Sequence, residues 1–202
     1  MAVVNILIVL AFCWLVAVAA SPEEDNLNEH NRLREKHGVP ALTLDDTLSK
    51  GCEEYAQVLA EKGSLAHSGD GRKYGENLCL RSEEPLKCVQ DWYDEIRAYD
   101  FDKAEFSLDT GHFTAMVWKS AKQMGHGQAK SKKGVYFVVA RYYPPVNILG
   151  QFKENVPKPI EDAENDDGNV TAVCAATVED KSYMVQANVI LILFALCVHL
   201  TY

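Results

Sequence analysis

The sequence predicts an α+β domain in which helices pack on a small, mainly antiparallel sheet. Two observations predict this. Apolar residues recur at three- and four-residue spacing through the first half of the chain, between residues suited to capping helices. From Val135 to Tyr143 the pattern changes to a β-branched and aromatic run, VYFVVARYY, which reads as a strand. No internal repeat interrupts this order.

The elements follow in turn. Ser21-Pro22-Glu23-Glu24 has the form of a capping box, with Ser as N-cap, Pro at N1 and Glu at N3. That helix is expected to end at Gly38, ahead of Val39-Pro40. A second helix is expected from about Asp45 to Lys62, stopping at Gly63. Its stripe holds Leu44, Leu48, Cys52, Tyr55 and Leu59. Short extended pieces are expected around His67 and over Gly75-Glu76-Asn77-Leu78. A third helix begins near Pro85 and carries Leu86, Val89, Trp92, Tyr93 and Ile96. A fourth spans His112 to about Lys119, with Phe113, Met116, Val117 and Trp118 as core. Met124 to Lys130 is expected to pair with the Val135–Tyr143 strand through the turn Ser131-Lys132-Lys133-Gly134. His126 is expected as a surface or strand histidine.

The chain has 202 residues and a net charge of -9. That charge argues against nucleic acid as a partner, which would require a basic face. Residues 1–20 form one apolar run ending in Val18-Ala19-Ala20, the form of a signal peptide; a short N-terminal anchor is the alternative. The domain proper is expected over residues 22–157. Residues 158–177 read as an acidic stalk, with an N-glycosylation sequon at Asn169-Val170-Thr171. Residues 178–202 read as a polar spacer and a hydrophobic tail too short for an ordinary spanning helix. Small residues, spacer and tail give the pattern of a GPI signal, with attachment at Cys174 or Ala175. A single-pass membrane anchor and a helix docked in the domain are the alternatives. The expected location is therefore extracellular or cell-surface, with membrane contact through the tail.

Outside the two apolar ends, Cys52, Cys79, Cys88 and Cys174 remain, and four cysteines allow three full pairings. Cys79 and Cys88 bracket a polar turn and are expected to pair in an oxidising compartment. Cys52, within its helical stripe, reads as a buried free thiol.

His67, Glu76, Glu95 and His112 are ionisable residues set among apolar or aromatic neighbours. Each alone is more simply read as a satisfied structural residue, and nothing in the spacing brings them together. Two longer stretches add to this. Gly111-His112-Phe113-Thr114-Ala115-Met116-Val117-Trp118-Lys119 and Tyr142-Tyr143-Pro144-Pro145-Val146-Asn147-Ile148-Leu149-Gly150-Gln151-Phe152 resemble the two signatures of the CAP superfamily. This superfamily comprises the cysteine-rich secretory proteins, antigen 5 and the plant pathogenesis-related type 1 proteins. HS, GENL and WYDEI precede the first of these signatures in the family's order, and HFTAMVWKSAKQMG with YFVVARYYP is most similar to its Golgi-associated type.

The resemblance implies a three-layer α-β-α sandwich in which His67, Glu76, Glu95 and His112 converge in one cleft. It implies that His67 and His112 hold zinc or another divalent cation, weakly, with Glu76 and Glu95 flanking them. It implies a binding module for a lipid, a sterol or a protein partner. A metal-assisted hydrolase using Glu76 or Glu95 as base is the second reading, and a purely structural surface ectodomain the third. The sequence has neither G-x-S-x-G nor H-E-x-x-H, which leaves metal-bound water as the route to hydrolysis. The closing strands lack the cysteines of many secreted members, and the two apolar ends differ from the Golgi-associated type.

Overall fold

In the computed structural model, residues 21–70 and 73–160 are described. Helix α1 covers Pro22–Glu35. The Ser21 hydroxyl accepts from the Glu24 N–H, and the Glu24 carboxylate accepts from the Ser21 N–H, both at 3.2 Å. This closes the capping box reciprocally. Helix α2 covers Asp46–Lys62, capped by the Asp45 carboxylate on the Leu48 N–H at 2.8 Å. Gly63 ends it with φ +73°, a left-handed turn that a side chain would strain.

The expected helix at Pro85 is broken into three parts: a 3₁₀ turn at Pro85–Lys87, helix α3 at Cys88–Tyr93 and a second 3₁₀ segment at Asp94–Ala98. Helix α4 is Gly111–Met116, shorter than the sequence pattern predicts. Val117 and Trp118 leave the helix yet are fully buried, so their apolar character reflects the core rather than a longer helix. Helix α5, Phe152–Asn155, closes the domain.

Strands β1 (Thr43–Leu44), β2 (Gly75–Arg81), β3 (Gln123–Lys130) and β4 (Tyr136–Tyr143) form one sheet in the order β1-β3-β4-β2. β1 joins β3 in parallel, and the other pairs are antiparallel. His67 lies outside any strand, in the irregular connection after α2. No regular extended piece forms there, because its backbone is held instead by side chains.

β4 shows why both faces of the sheet are apolar. Val138, Ala140 and Tyr142 belong to one core with α1, α3 and α4, around Leu33, Trp92, Phe113, Trp118 and Phe152. Phe137 and Val139 alternate with them and belong to a second core with Cys52, Ala56 and Leu59 of α2. The layers are therefore helix, sheet and helix. Cys52 is a buried free thiol, its pKa pushed up to about 12 by burial.

β3 follows the same alternation. Gly125 and Gly127 face α2, and a Cβ on Gly127 would lie 2.1 Å from the Glu53 nitrogen. Met124 and His126 face the other way. His126 is 2% exposed, so of the two expectations, surface or strand, the strand one holds and the surface one does not: it is a core residue of β3. Arg34 is also buried. Its Nε and Nη2 donate to the Pro40 carbonyl at 2.9 and 2.7 Å, and its Nη1 donates to Met116 and Trp118 carbonyls at 2.6 and 3.0 Å. It fastens the α1 layer to the end of α4.

Cys79 of β2 and Cys88 of α3 form a disulfide, as their spacing predicts. The loop it closes is short, so the chain-entropy account assigns it about 2–3 kcal/mol. The chain stays on the domain through Ile160, whose N–H donates to the Lys36 carbonyl at 2.8 Å. The signal-like run at 1–20, the acidic stretch from residue 161, Asn169, Cys174, Ala175 and the apolar tail lie outside the described residues. Among the described residues, no helix is long and apolar enough to cross a membrane.

Candidate functional site

Two Glu–His pairs are built on different elements by the same device. Glu76 lies on β2 opposite Arg141 of β4. Its Oε1 accepts from His67 Nδ1 at 3.0 Å and from the Ser68 N–H at 2.9 Å. Its Oε2 accepts from Arg141 Nε at 3.1 Å and Nη2 at 3.0 Å. Four donors therefore occupy one nearly buried carboxylate. Burial alone would raise the Glu76 pKa, but the bonds from His67, Ser68 and Arg141 outweigh it and hold the group below its ordinary value. The Arg141 guanidinium lies over the Tyr74 ring at 4.3 Å, with Tyr55 at 5.4 Å.

Glu95 does the equivalent for His112. Its Oε2 accepts from the N–H groups of His112 and Phe113 at 2.9 and 3.1 Å, at the start of α4. Its Oε1 accepts from His112 Nδ1 at 2.6 Å. Thr110 provides no side-chain cap, so Glu95 satisfies the orphan donors of α4 from outside the helix. The His112 ring is stacked on Trp92, with centroids 6.2 Å apart at 23°.

Both imidazoles are thus anchored through Nδ1. A carboxylate at Nδ1 selects the tautomer with its proton there, leaving Nε2 as the lone-pair nitrogen. Neither Nε2 has a hydrogen-bond partner among the described residues. Glu76 raises the His67 pKa by accepting its hydrogen bond, against the opposing effect of burial.

His67, Ser68, Glu76 and His112 line one cleft of about 400 Å³. Glu95 is not among its lining residues; it supports His112 from behind. Phe106, Leu108 and Val146 supply apolar wall, and Leu108 is 85% exposed. Asn77 fixes the floor. Its Nδ2 donates to the His112 carbonyl and to the Tyr142 hydroxyl, both at 3.1 Å. Tyr142 in turn donates to His30 Nε2 at 2.9 Å, and His30 Nδ1 donates to the Asn26 carbonyl at 2.8 Å. A buried polar chain so connects α1 to the entry of α4.

The donor set fits a weakly held divalent ion: two imidazole nitrogens free at Nε2, each with a carboxylate behind it. It does not form a tight cage. Among the described residues, one group of three metal-ligating types lies within 4.8 Å, namely Cys79, Cys88 and Asp91. Its sulfurs are joined in the disulfide and carry no thiolate, and Asp91 is paired with Arg81. Arg141 was not singled out from sequence as a site residue. Its visible signal is a single charge inside the apolar strand VYFVVARYY.

Residues 27–142 match the model of the CAP domain, described as the cysteine-rich secretory protein family, and the chain belongs to that family. It is 45% identical over 139 residues to Golgi-associated plant pathogenesis-related protein 1 of Homo sapiens, covering 66% of this chain and 90% of that protein. Its fold is similar to that of Schistosoma mansoni venom allergen-like protein 4, with a TM-score of 0.56 and 19% identity over 72% of this chain and 99% of the other. It is also similar to NaASP2 solved with Zn2+, with a TM-score of 0.54 and 19% identity over 72% and 90% of the two chains.

Proposed function

We propose that this chain is a CAP-domain binding module for a lipid, a sterol or a protein partner, with a weak divalent-metal site in its cleft. The observation that carries the reading is the use already made of the two carboxylates. Glu76 holds four donors, and Glu95 holds three from behind His112. Metal-assisted hydrolysis would need a base in the cleft able to take a proton. Glu76 would have to release Arg141 or His67 to do so. The carboxylates instead hold the histidines in place, which is a binding role.

His67 and His112 would hold the ion through Nε2, and Glu76 and Glu95 would keep their Nδ1 protons fixed. Zinc bound there would supply a Lewis-acidic centre with solvent completing its coordination. The similarity in fold to NaASP2, solved with Zn2+, supports the choice of ion. Calorimetric titration is expected to show weak zinc binding that the double substitution His67→Ala/His112→Ala abolishes while the domain stays folded. Protons compete for the same nitrogens, so affinity should fall as pH drops. Because Glu76 raises the His67 pKa, the fall should begin above the ordinary histidine value of ~6.5. Undiminished zinc binding by the double variant would remove both histidines from the site.

The display of this module at the cell surface, glycosylated at Asn169 and anchored through Cys174 or Ala175, is part of the same proposal. It is supported by the order of apolar leader, sequon, small residues and apolar tail in the sequence. A GPI-cleaving phospholipase is expected to release the protein from intact cells. Retention on the cells after that treatment would replace the lipid anchor with a membrane span.

A further inference from the structure

A second groove, of about 730 Å³, lies at the far end of the sheet from α5, between the C-terminal turn of α2 and the β3–β4 turn. Lys62, Lys130, Lys132 and Lys133 all line it. None has an acidic partner among the described residues, in a chain whose net charge is -9. Lys130 instead lies over the Tyr136 ring at 4.7 Å. Glu61 is the one acidic lining residue, and it accepts a hydrogen bond from Gln57 at 3.2 Å. Lys62 alone would be explained by the negative end of α2. The other three are not on a helix.

The lysines are held by an ordered turn. The Ser131 N–H donates to the Val135 carbonyl at 2.8 Å, the Gly134 N–H to the Ser131 carbonyl at 2.9 Å, and the Val135 N–H to the Ser131 hydroxyl at 3.2 Å. Gly134 adopts φ +84° to close it. Lys132 and Lys133 therefore project from a fixed tip. Between them and α2 the wall is apolar: Leu80, Val135 and Phe137. Leu80 is 49% exposed, although it sits on a strand in register with Phe137.

We propose that this groove binds an acidic segment of a partner protein that carries one apolar anchor residue. Four cations without acidic partners call for several negative charges, and the exposed Leu80 calls for a small apolar contact at their centre. The groove is open, so a long acyl chain laid in it would keep much of its surface in water. A peptide, polar along its own backbone, does not incur that cost. The inference rests on the binding-module reading and assigns a protein partner to a surface distinct from the histidine cleft.

The test uses a fluorescent decapeptide of Glu and Asp with one central Leu, titrated with the protein and read by polarisation. Saturable binding that weakens with salt is expected. The Lys132→Glu/Lys133→Glu variant should lose at least about tenfold in affinity, because two attractions become repulsions. Its zinc titration should match the parent protein, which separates this groove from the cleft. Replacing the central Leu of the peptide by Ala should weaken binding to the parent protein, and Leu80→Ser should remove that difference. Equal affinity for parent and charge-reversed protein would overturn the proposal. So would tighter binding of palmitate or of phosphatidylserine vesicles than of the peptide, with competition at the same lysines, since the groove would then be a lipid site. Absence of peptide binding alongside intact zinc binding would remove the groove and leave the cleft reading standing.

Discussion

Acidification from pH 7 to 4 is expected to lower the melting temperature of the domain by roughly 15 °C, much of it from two buried histidines. Burial holds His30 at a pKa of about 4, helped by the nearby charge it would share with His126; burial holds His126 at about 4 as well. In the unfolded chain both return to ~6.5. Between these values the unfolded state binds more protons, so stability rises with pH and is lost as pH falls from 6.5 toward 4. Each histidine withdraws about 3 kcal/mol over that window. His37, also pushed down by burial, acts in the same direction. His67 acts oppositely, since Glu76 raises its pKa, but its side chain is 63% exposed and solvent screens its share. Thermal melts across this range test the prediction, and a melting temperature that stays level down to pH 4 would contradict it.

Gly127→Ala is expected to cost at least about 3 kcal/mol, the upper part of the range for overpacking. The added Cβ would fall 2.1 Å from the Glu53 nitrogen and 2.4 Å from the Cys52 carbonyl carbon. Both are backbone atoms of α2, so no rotamer change relieves the collision and the helix must lift from the sheet. Gly111→Ala provides the contrast. Its Cβ would meet the ring of Phe106 at 3.3 Å, and that ring is 44% exposed and free to swing. Denaturant unfolding of the two variants should separate them by at least about 2 kcal/mol. Similar losses would show that α2 does not depend on the close approach at β3.

The elements that could be read from sequence are those whose ends are chemically marked. Asp45 and Gly63 bracket α2 because one accepts an N–H at the start and the other tolerates a left-handed turn at the end. The capping box at Ser21 and the turn between β3 and β4 are local in the same sense. β1 could not be read this way. It is two residues long, and its partner Gln123–Met124 lies about eighty residues away in the chain. The irregular segment around His67 also escaped, since a carboxylate on β2 rather than a strand holds it. The candidate site has the same limit. Glu76 meets Arg141 across the β2–β4 register, and no spacing in the sequence encodes that meeting. The resemblance to the family signatures grouped His67, Glu76, Glu95 and His112, although Glu95 supports the cleft from behind rather than lining it. The apolar and aromatic neighbours of Glu95 gave no hint that it caps α4.

That cap has a consequence for how such a cleft can drift over generations. Remove the His112 side chain and Glu95 still has two main-chain donors, so α4 keeps its start. Remove Glu95 instead, and the helix loses its entry while His112 loses its orientation. Glu76 stands in the same relation to Ser68, Arg141 and His67. The imidazoles are therefore the replaceable parts and the carboxylates the fixed ones. A descendant of this chain could lose both imidazoles in two substitutions and remain folded, whereas one that lost its glutamates would have to rebuild the ground on which the cleft stands.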